Sequence, residues 1–433
     1  MNRRQAIDGS GPGIWSNWSG NQRCQPRELL RPATEQELVD IVRDARDSIR
    51  VAGAGHSFSA LVPTGETLIS LERLAGIQAT AHDHQQVTCG AGATIRDLGE
   101  PLFDRGLALT NQGDVDAQTI AGACSTGTHG TGLDFGCLAT DLVAFRLVTA
   151  AGEVLSCDAQ CNSDIFCGGR VALGALGIIA QATIQCRPAF SLQERLEAMD
   201  LNDCLERSEQ LAKDNRHFEF FHFPYADRVL VKTMNVADDA GNRSIADERE
   251  DRLFGWLCNF VRAFPVFNPV LQRTAMRWYP GRERCDRSYR VFPSARTVRF
   301  NEMEYEVPAA AGVDCFREIA SILRKRRLVD CFPLEFRRVK KDSLWLSPFF
   351  ERDSVSISIH QHYRQAYEPL FQLVEPVFWK YEGRPHWGKL HTLTGQQLDS
   401  LYPRWQEFKQ LREQLDPTGK FLNPHLRRVL DID

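Results

Sequence analysis

Three glycine-rich turns within residues 53–132 constrain this chain more than any other feature. They are Gly53-Ala-Gly-His-Ser, Gly90-Ala-Gly-Ala-Thr and Gly122-Ala-Cys-Ser-Thr-Gly-Thr-His-Gly-Thr-Gly. Glycine lets backbone amides approach a ligand closely, and successive amides form an anion-binding nest. Ser57, Ser125, Thr126 and Thr128 add hydroxyl donors. One such loop reads as a tight turn between strands. Three in one stretch suit a large diphosphate-bearing ligand.

The segments between the turns read as an α/β unit. Residues 35–48 have helical spacing, with Leu38, Ile41, Val42 and Ala45 on one face and Thr34 as a start signal. Residues 49–52, 67–70, 86–89, 142–149 and 176–185 are strand-like, and 153–157 closes a hairpin after Ala150-Ala-Gly. Strict βαβ repetition is missing, so the pattern predicts α+β rather than a doubly wound sheet. After Pro188 glycine thins out and aromatics and charges rise. Residues 236–252 read as a polar loop, 298–307, 334–339 and 354–360 as strands, and 316–327 as an amphipathic helix ending in a basic run. The predicted division is 14–189, 190–375, and a segment 376–433 that returns to the first domain.

Several function classes are excluded. No GxGxxG is completed, and GxxxxGK[ST], HExxH and GxSxG do not occur. A net charge of −4 argues against nucleic-acid binding. No apolar run reaches the roughly 18 residues of a membrane span. The aromatic stretch 254–279 reads as core, with peripheral membrane contact as the alternative. Behind Arg3 and Arg4 no apolar run follows, so a secretory leader is not expected. The 13 cysteines form no CxxC pair, which favours free thiols in the cytoplasm over disulfides or zinc.

Motifs in order along the chain carry a family resemblance. They are RVAGAGHSFSALVPTGETLISLERLAGI, GAGATIRDL, QTIAGACSTGTHGTG and LGALGII, then VRFNEMEYEVP, Glu335-Phe-Arg337, HWGK and DPTGKFLNPHL. Together they resemble the vanillyl-alcohol-oxidase type of FAD enzyme, and within it the sugar-1,4-lactone and alditol oxidases. The resemblance implies an α+β fold: a two-subdomain FAD-binding domain and an α+β cap with a mixed or antiparallel sheet. It implies FAD as cofactor, attached covalently through His56. Cofactor contacts are then expected from Ala52, Gly53, Ala54, Gly55, Ser57, Gly122, Ser125, Thr126, Gly127, Thr128, His129, Gly130, Gly177, Ile178, His386 and Lys389. His129 reads as structural or near the diphosphate rather than catalytic. Cys124 lies near the position that governs oxygen access.

Glu335 and Arg337 are two apart on one strand and share a face. By themselves they form an ion pair or a ligand site. His360 and His362 share a face in the same way, as hydroxyl contacts, a surface pair, or a metal pair for which no third ligand is in view. No metal is expected. The resemblance implies that Glu335, Arg337 and Lys389 are catalytic. With Ser125, His360 and His362, the pair Glu335 and Arg337 would also bind substrate. The implied reaction moves a carbon-bound hydride to flavin N5. Arg337 and Lys389 would stabilise the alkoxide, and Glu335 would orient the substrate or take its proton. The implied substrate is a sugar lactone, with an open-chain polyol as alternative. O2 or another acceptor takes the electrons. A flavin-binding protein without catalysis is the distant third reading.

Overall fold

The Gly53 turn leaves a three-stranded parallel sheet in the computed structural model, which describes residues 13–238, 246–294, 296–326 and 331–432. Strands β1 (Glu28–Leu30), β2 (Ile49–Ala52) and β3 (Thr67–Ser70) lie in the order β1-β3-β2. Helix α1 (Glu35–Asp44) connects β1 to β2. The Thr34 hydroxyl caps it by accepting from the Glu37 amide at 3.1 Å. The helix stops short of the expected residue 48. Its last buried residue is Val42, and Arg46-Asp47-Ser48 offers nothing to bury.

Arg50 is buried on β2 and donates to four main-chain carbonyls. These are Leu61 (2.7 Å), Leu173 (2.9 Å), Gly174 (3.1 Å) and Phe421 (2.5 Å). One guanidinium thus joins the loop after the first glycine turn, the Leu173–Gly174 turn and the C-terminal segment.

The second sheet has five antiparallel strands: β4 (Ile77–Ala81), β5 (Gln86–Gly90), β6 (Leu142–Val148), β7 (Val154–Asp158) and β8 (Ile178–Gln185). Their order is β7-β6-β8-β5-β4. Helices α2 (Ile95–Phe103) and α3 (Ile120–Ser125) follow the second glycine turn and open the third.

The remainder builds one eight-stranded antiparallel sheet. In chain order its elements are β9 (Ser191–Asp200), α4 (Leu201–Asp214), β10 (His217–His222), β11 (Arg228–Ala237), α5 (Ala246–Ala263), α6 (Asn268–Arg277), β12 (Arg282–Arg287), β13 (Phe300–Pro308), α7 (Gly312–Arg326), β14 (Leu334–Val339), β15 (Ser354–His362), α8 (Glu368–Lys380) and β16 (Arg384–Pro385). The strand order is β12-β9-β11-β10-β14-β15-β13-β16. All pairs are antiparallel, so the mixed alternative falls away.

The two faces of this sheet differ sharply. Phe220, Phe336, Ile357, Ile359, Met303 and Tyr305 form an apolar face. Phe316 of α7 packs on Phe220 at 5.0 Å, and Phe378 of α8 stacks on Tyr305 at 4.7 Å. Alternate residues form a buried polar face: Glu302, Glu304, Glu306, Glu335, Arg337, Glu219, Lys232, Ser356, Ser358 and His360.

Three expectations change. The 236–252 loop shrinks, because β11 runs to Ala237 and α5 begins at Ala246. The sequence 246–252, Ala-Asp-Glu-Arg-Glu-Asp-Arg, has two Glu and two Arg, which favour helix. The 254–279 stretch is core on one side only. Phe254, Cys258 and Val261 pack inward, while Trp256, Phe264, Val266, Phe267, Val270 and Trp278 are exposed. No described element covers that outer side. Helix α7 starts at Gly312, and Arg327 lies outside the described residues.

Residues 387–423 bind back to the N-terminal sheets. The Phe58 amide donates to Gly388 O at 2.7 Å, and the Ile49 amide donates to Lys420 O at 2.7 Å. Asn423 donates from Nδ2 to the carbonyls of Ala60 and Pro63, each at 2.9 Å. Helices α9 (Gly395–Leu401), α10 (Trp405–Leu415) and α11 (Pro424–Leu430) complete this segment.

Candidate active site

The glycine turns pack tightly on one another. A Cβ on Gly53 would lie 2.5 Å from Thr119 Oγ1, and one on Gly130 would lie 2.3 Å from the Gln112 carbonyl. Gly55 and Gly127 hold positive φ of 71° and 72°, which favours glycine. Gly177 begins the turn into β8, where a Cβ would meet Val148 O at 2.7 Å; Ile178 after it is buried. Ala52 is buried at the end of β2, and Ala54 is half-buried in the turn. Gly122 is exposed, and Ser125 and Ser57 are half-buried. Thr126 donates to Gly122 O at 3.0 Å. Gly113, Thr128, His129 and Gly130 line a shared cavity with Asn111 and Gln112.

His56 sits at the first turn, stacked on Trp18 at 5.6 Å. Its ring makes no hydrogen bond among the described residues. Burial comes first, with Lys389, Arg96 and Arg296 nearby, in holding its pKa down at about 4. The imidazole is therefore neutral at ordinary pH, with its lone pair free. Lys389 also lies 5.2 Å over the Phe58 ring. A neutral, unbonded histidine amid fixed positive charge fits the ring end of a flavin, whose reduced form is anionic.

The HWGK turn binds the edge of β13. The His386 amide donates to Glu304 O at 3.0 Å, and the Leu390 amide donates to Glu302 O at 2.9 Å. This places Lys389 Nζ 2.5 Å from Glu302 and 3.4 Å from Glu304. Against the cost of burial, Lys389 and then His360 hold Glu302 down at about 2. His386 accepts the Gly388 amide on Nδ1 at 3.0 Å, and burial depresses its pKa to about 3.

Glu335 and Arg337 do share a face of β14, at the centre of the polar surface. Arg337 pairs with Glu335, with Asp114 and, at 2.5 Å, with Glu219. Asp114 also meets Lys232 at 3.1 Å and Arg296 at 2.8 Å. Asp114 is thus a charged node between the third-turn region and the large sheet. Burial raises the Glu335 pKa, opposed by Arg337.

His360 faces this cluster. Its Nδ1 lies 3.2 Å from the Pro333 carbonyl, which fixes the proton there. Nε2 is buried 3.4 Å from Glu302 and 3.9 Å from Glu335, at the meeting point of the two carboxylates. Glu302 and Glu335 are the further ligand-type groups that the sequence did not reveal beside His360. Lys389 and Arg337 already neutralise them. His362 stands at the strand end, where it accepts the Arg364 amide at 3.3 Å and meets Tyr363. Its neighbours are Arg364, Tyr363 and Phe332 rather than the Glu335–Arg337 cluster.

His129 bridges the two halves. Its Nδ1 donates to Gly130 O and its Nε2 to Glu304, both at 2.8 Å. Glu306 lies 3.6 Å away with both oxygens otherwise without a hydrogen bond. Burial opposes the charge on His129, but Glu304 and Glu306 outweigh it and hold the pKa up at about 10. Glu302, Glu304, Glu306, Asp114 and Arg296 escaped the sequence reading. The first three alternate with Met303, Tyr305 and Val307, a strand signal with acids on one face.

Comparison with known proteins agrees with this geometry. Residues 26–158 match the "FAD binding domain" family model. The "D-arabinono-1,4-lactone oxidase" family model matches residues 182–429. The L-gulono-1,4-lactone dehydrogenase of Mycobacterium tuberculosis is 39% identical, over 96% of this chain and 99% of its own. The L-gulonolactone oxidase of Bos taurus is 31% identical, over 96% and 98%. The alditol oxidase of a Streptomyces species is 29% identical, over 96% and 99%. A cholesterol oxidase from B. sterolicum shares the fold, with TM-score 0.80, 16% identity, and 96% of each chain covered. The chain belongs to the D-arabinono-1,4-lactone oxidase family of FAD-dependent oxidoreductases.

Proposed function

We propose that this enzyme oxidises a ring CH–OH of an aldono-1,4-lactone. Residues 14–189 would hold FAD, 190–375 would cover the substrate, and 376–433 would close the site with Lys389. The observation that carries the reading is the convergence of Glu335, Arg337, His360 and Lys389 on one buried polar face. That face adjoins His56 through Trp18 and Phe300: Trp18 meets His56 at 5.6 Å and Phe300 at 5.1 Å, and Phe300 meets His360 at 4.9 Å.

Bound FAD supplies the two-electron acceptor for the carbon-bound hydrogen. His56 would anchor it covalently, its neutral ring being the nucleophilic form. His360 Nε2 takes the hydroxyl proton, since its other nitrogen is committed to Pro333 O. Arg337 and Lys389 stabilise the developing alkoxide in a site that excludes water. Glu335 orients the ring hydroxyls, and Ser125 and His362 would line the substrate path.

The free cysteines favour a reducing compartment such as the cytoplasm. The electron acceptor would be O2 or another oxidant. Full-length similarity to an alditol oxidase supports the polyol alternative. Anaerobic mixing with a panel of lactones and alditols tests the reading. Bleaching of the flavin by lactones is expected. Bleaching by alditols alone would move the assignment to polyols, and no bleaching by either would sink both.

A further inference from the structure

Glu302 joins two working groups of the site. In the register of β13 and β15 it stands opposite His360. Its Oε1 lies 3.4 Å from His360 Nε2, and its Oε2 accepts from Lys389 Nζ at 2.5 Å. Its main-chain carbonyl accepts the Leu390 amide at 2.9 Å, so the turn that carries Lys389 is tied to the same residue. Among the described residues no other charged group pairs with both His360 and Lys389.

A buried lysine needs a counter-ion, and that alone would account for one carboxylate. The neighbouring acids do not fill the same place. Glu304 is 3.4 Å from Lys389 but accepts from His129 and from the Ser356 hydroxyl, each at 2.8 Å. Glu335 is 3.9 Å from His360 Nε2 and is held by Arg337. The charged and titratable groups facing Glu302 are His360 from β15, Glu335 from β14, Lys389 from the HWGK turn, Arg296 ahead of β13, His386 and, on its own strand, Glu304. Only Glu302 spans from the proton acceptor to the lysine.

We propose that Glu302 is a positioning residue that couples proton removal at His360 to the positive field of Lys389. The inference rests on the reading of His360 as proton acceptor and Lys389 as alkoxide stabiliser. In the step concerned the substrate O–H bond breaks, an Nε2–H bond forms, and the electron pair stays on oxygen. Before it, Glu302 and Lys389 form a neutral pair. After it, one carboxylate stands between two cations, the imidazolium and the ammonium. The surplus positive charge balances the new alkoxide, so the complement appears together with the charge it stabilises.

Anaerobic flavin reduction by E302Q tests this, with whichever lactone or polyol reduces the wild type. Flavin content should match wild type. The reduction rate constant should fall about 10–100-fold, while the substrate Kd moves less than about threefold. Burial disfavours the Lys389 charge, but Glu302 and Glu304 outweigh it and hold its pKa up. Removing the Glu302 charge loosens that proton, so the alkaline limb of the rate profile should move to lower pH. E302D keeps the charge but shortens the reach by one methylene. It should leave the limb at wild-type pH and still lose about three- to tenfold in rate, a readout that stands even where E302Q fails to hold flavin. Wild-type reduction rates in E302D, or an alkaline limb unmoved in E302Q, would overturn the proposal. A substrate Kd weakened as much as the rate would overturn it too, by making Glu302 a substrate ligand. No reduction of the wild type by any lactone or polyol would instead remove the reading beneath the proposal, and the proposal with it.

Discussion

Replacing Glu304 with Gln measures how strongly the His129 bridge holds the large sheet on the FAD-binding domain. Burial works against the His129 charge, yet Glu304 and Glu306 lift its pKa from 6.5 to about 10. At about 1.4 kcal/mol per tenfold change in proton affinity, the gap corresponds to roughly 5 kcal/mol. Two glutamates share it. Glu304 is at 2.8 Å and Glu306 at 3.6 Å, so the larger part belongs to Glu304. We expect a loss of about 3 kcal/mol, the low end for breaking a buried pair. The proton is held more tightly in the folded state. The contribution is therefore complete below about pH 6.5 and falls away as pH rises through about 10. Urea unfolding of wild type and E304Q across this range gives the difference curve. It should be largest near pH 6 and shrink steadily above about pH 8. A difference that stays constant to about pH 10 would refute the charged-histidine account.

Three further outcomes follow from the geometry. His56→Ala should leave a colourless pellet after acid precipitation where wild type gives a yellow one; yellow pellets from both would move the attachment elsewhere. His360→Ala should lower kcat by about 10²–10⁴ with flavin retained, and a loss under tenfold would remove Nε2 as proton acceptor. Gly130→Ala drives a Cβ to 2.3 Å from the Gln112 carbonyl, whereas a Cβ on Gly65 meets nothing within 4 Å. Thermal melts should show about 1–3 kcal/mol lost for the first and about 0.5 or less either way for the second.

Local pattern was legible where backbone and burial agree. Thr67–Ser70 and Leu334–Val339 fall where β-branched and apolar runs predict them. Glu335 and Arg337 share a face because strand geometry requires it. The glutamates of β13 were less visible. Alternation says that two faces differ, but acids on one face ordinarily signal water. The cations brought by Lys389 and His129 from distant segments offset those acids on a face that is buried. The outer side of 254–279 fails in the opposite direction. Helical spacing of Phe254, Cys258 and Val261 correctly implies an inward stripe, but nothing in the spacing tells how many sides of a helix find a partner. Asp114 acts through groups far along the chain, as Arg50 does through three of its four acceptors, so no local window contains their meaning.

The four carbonyls around Arg50 set an order of assembly. Phe421 O is one of them, and Lys420 O accepts the amide of the neighbouring Ile49. The first parallel strands emerge early in synthesis but gain these partners only after some 370 further residues, the 371-residue separation of Arg50 and Phe421. Until then the guanidinium has its carbonyls at Leu61, Leu173 and Gly174 but not the one at Phe421, and the first glycine turn lacks the HWGK segment across from it. The contacts of the N-terminal sheets are thus completed only when the end of the chain is made. Removal of residues around 416–423 would therefore be felt first at the other end of the polypeptide.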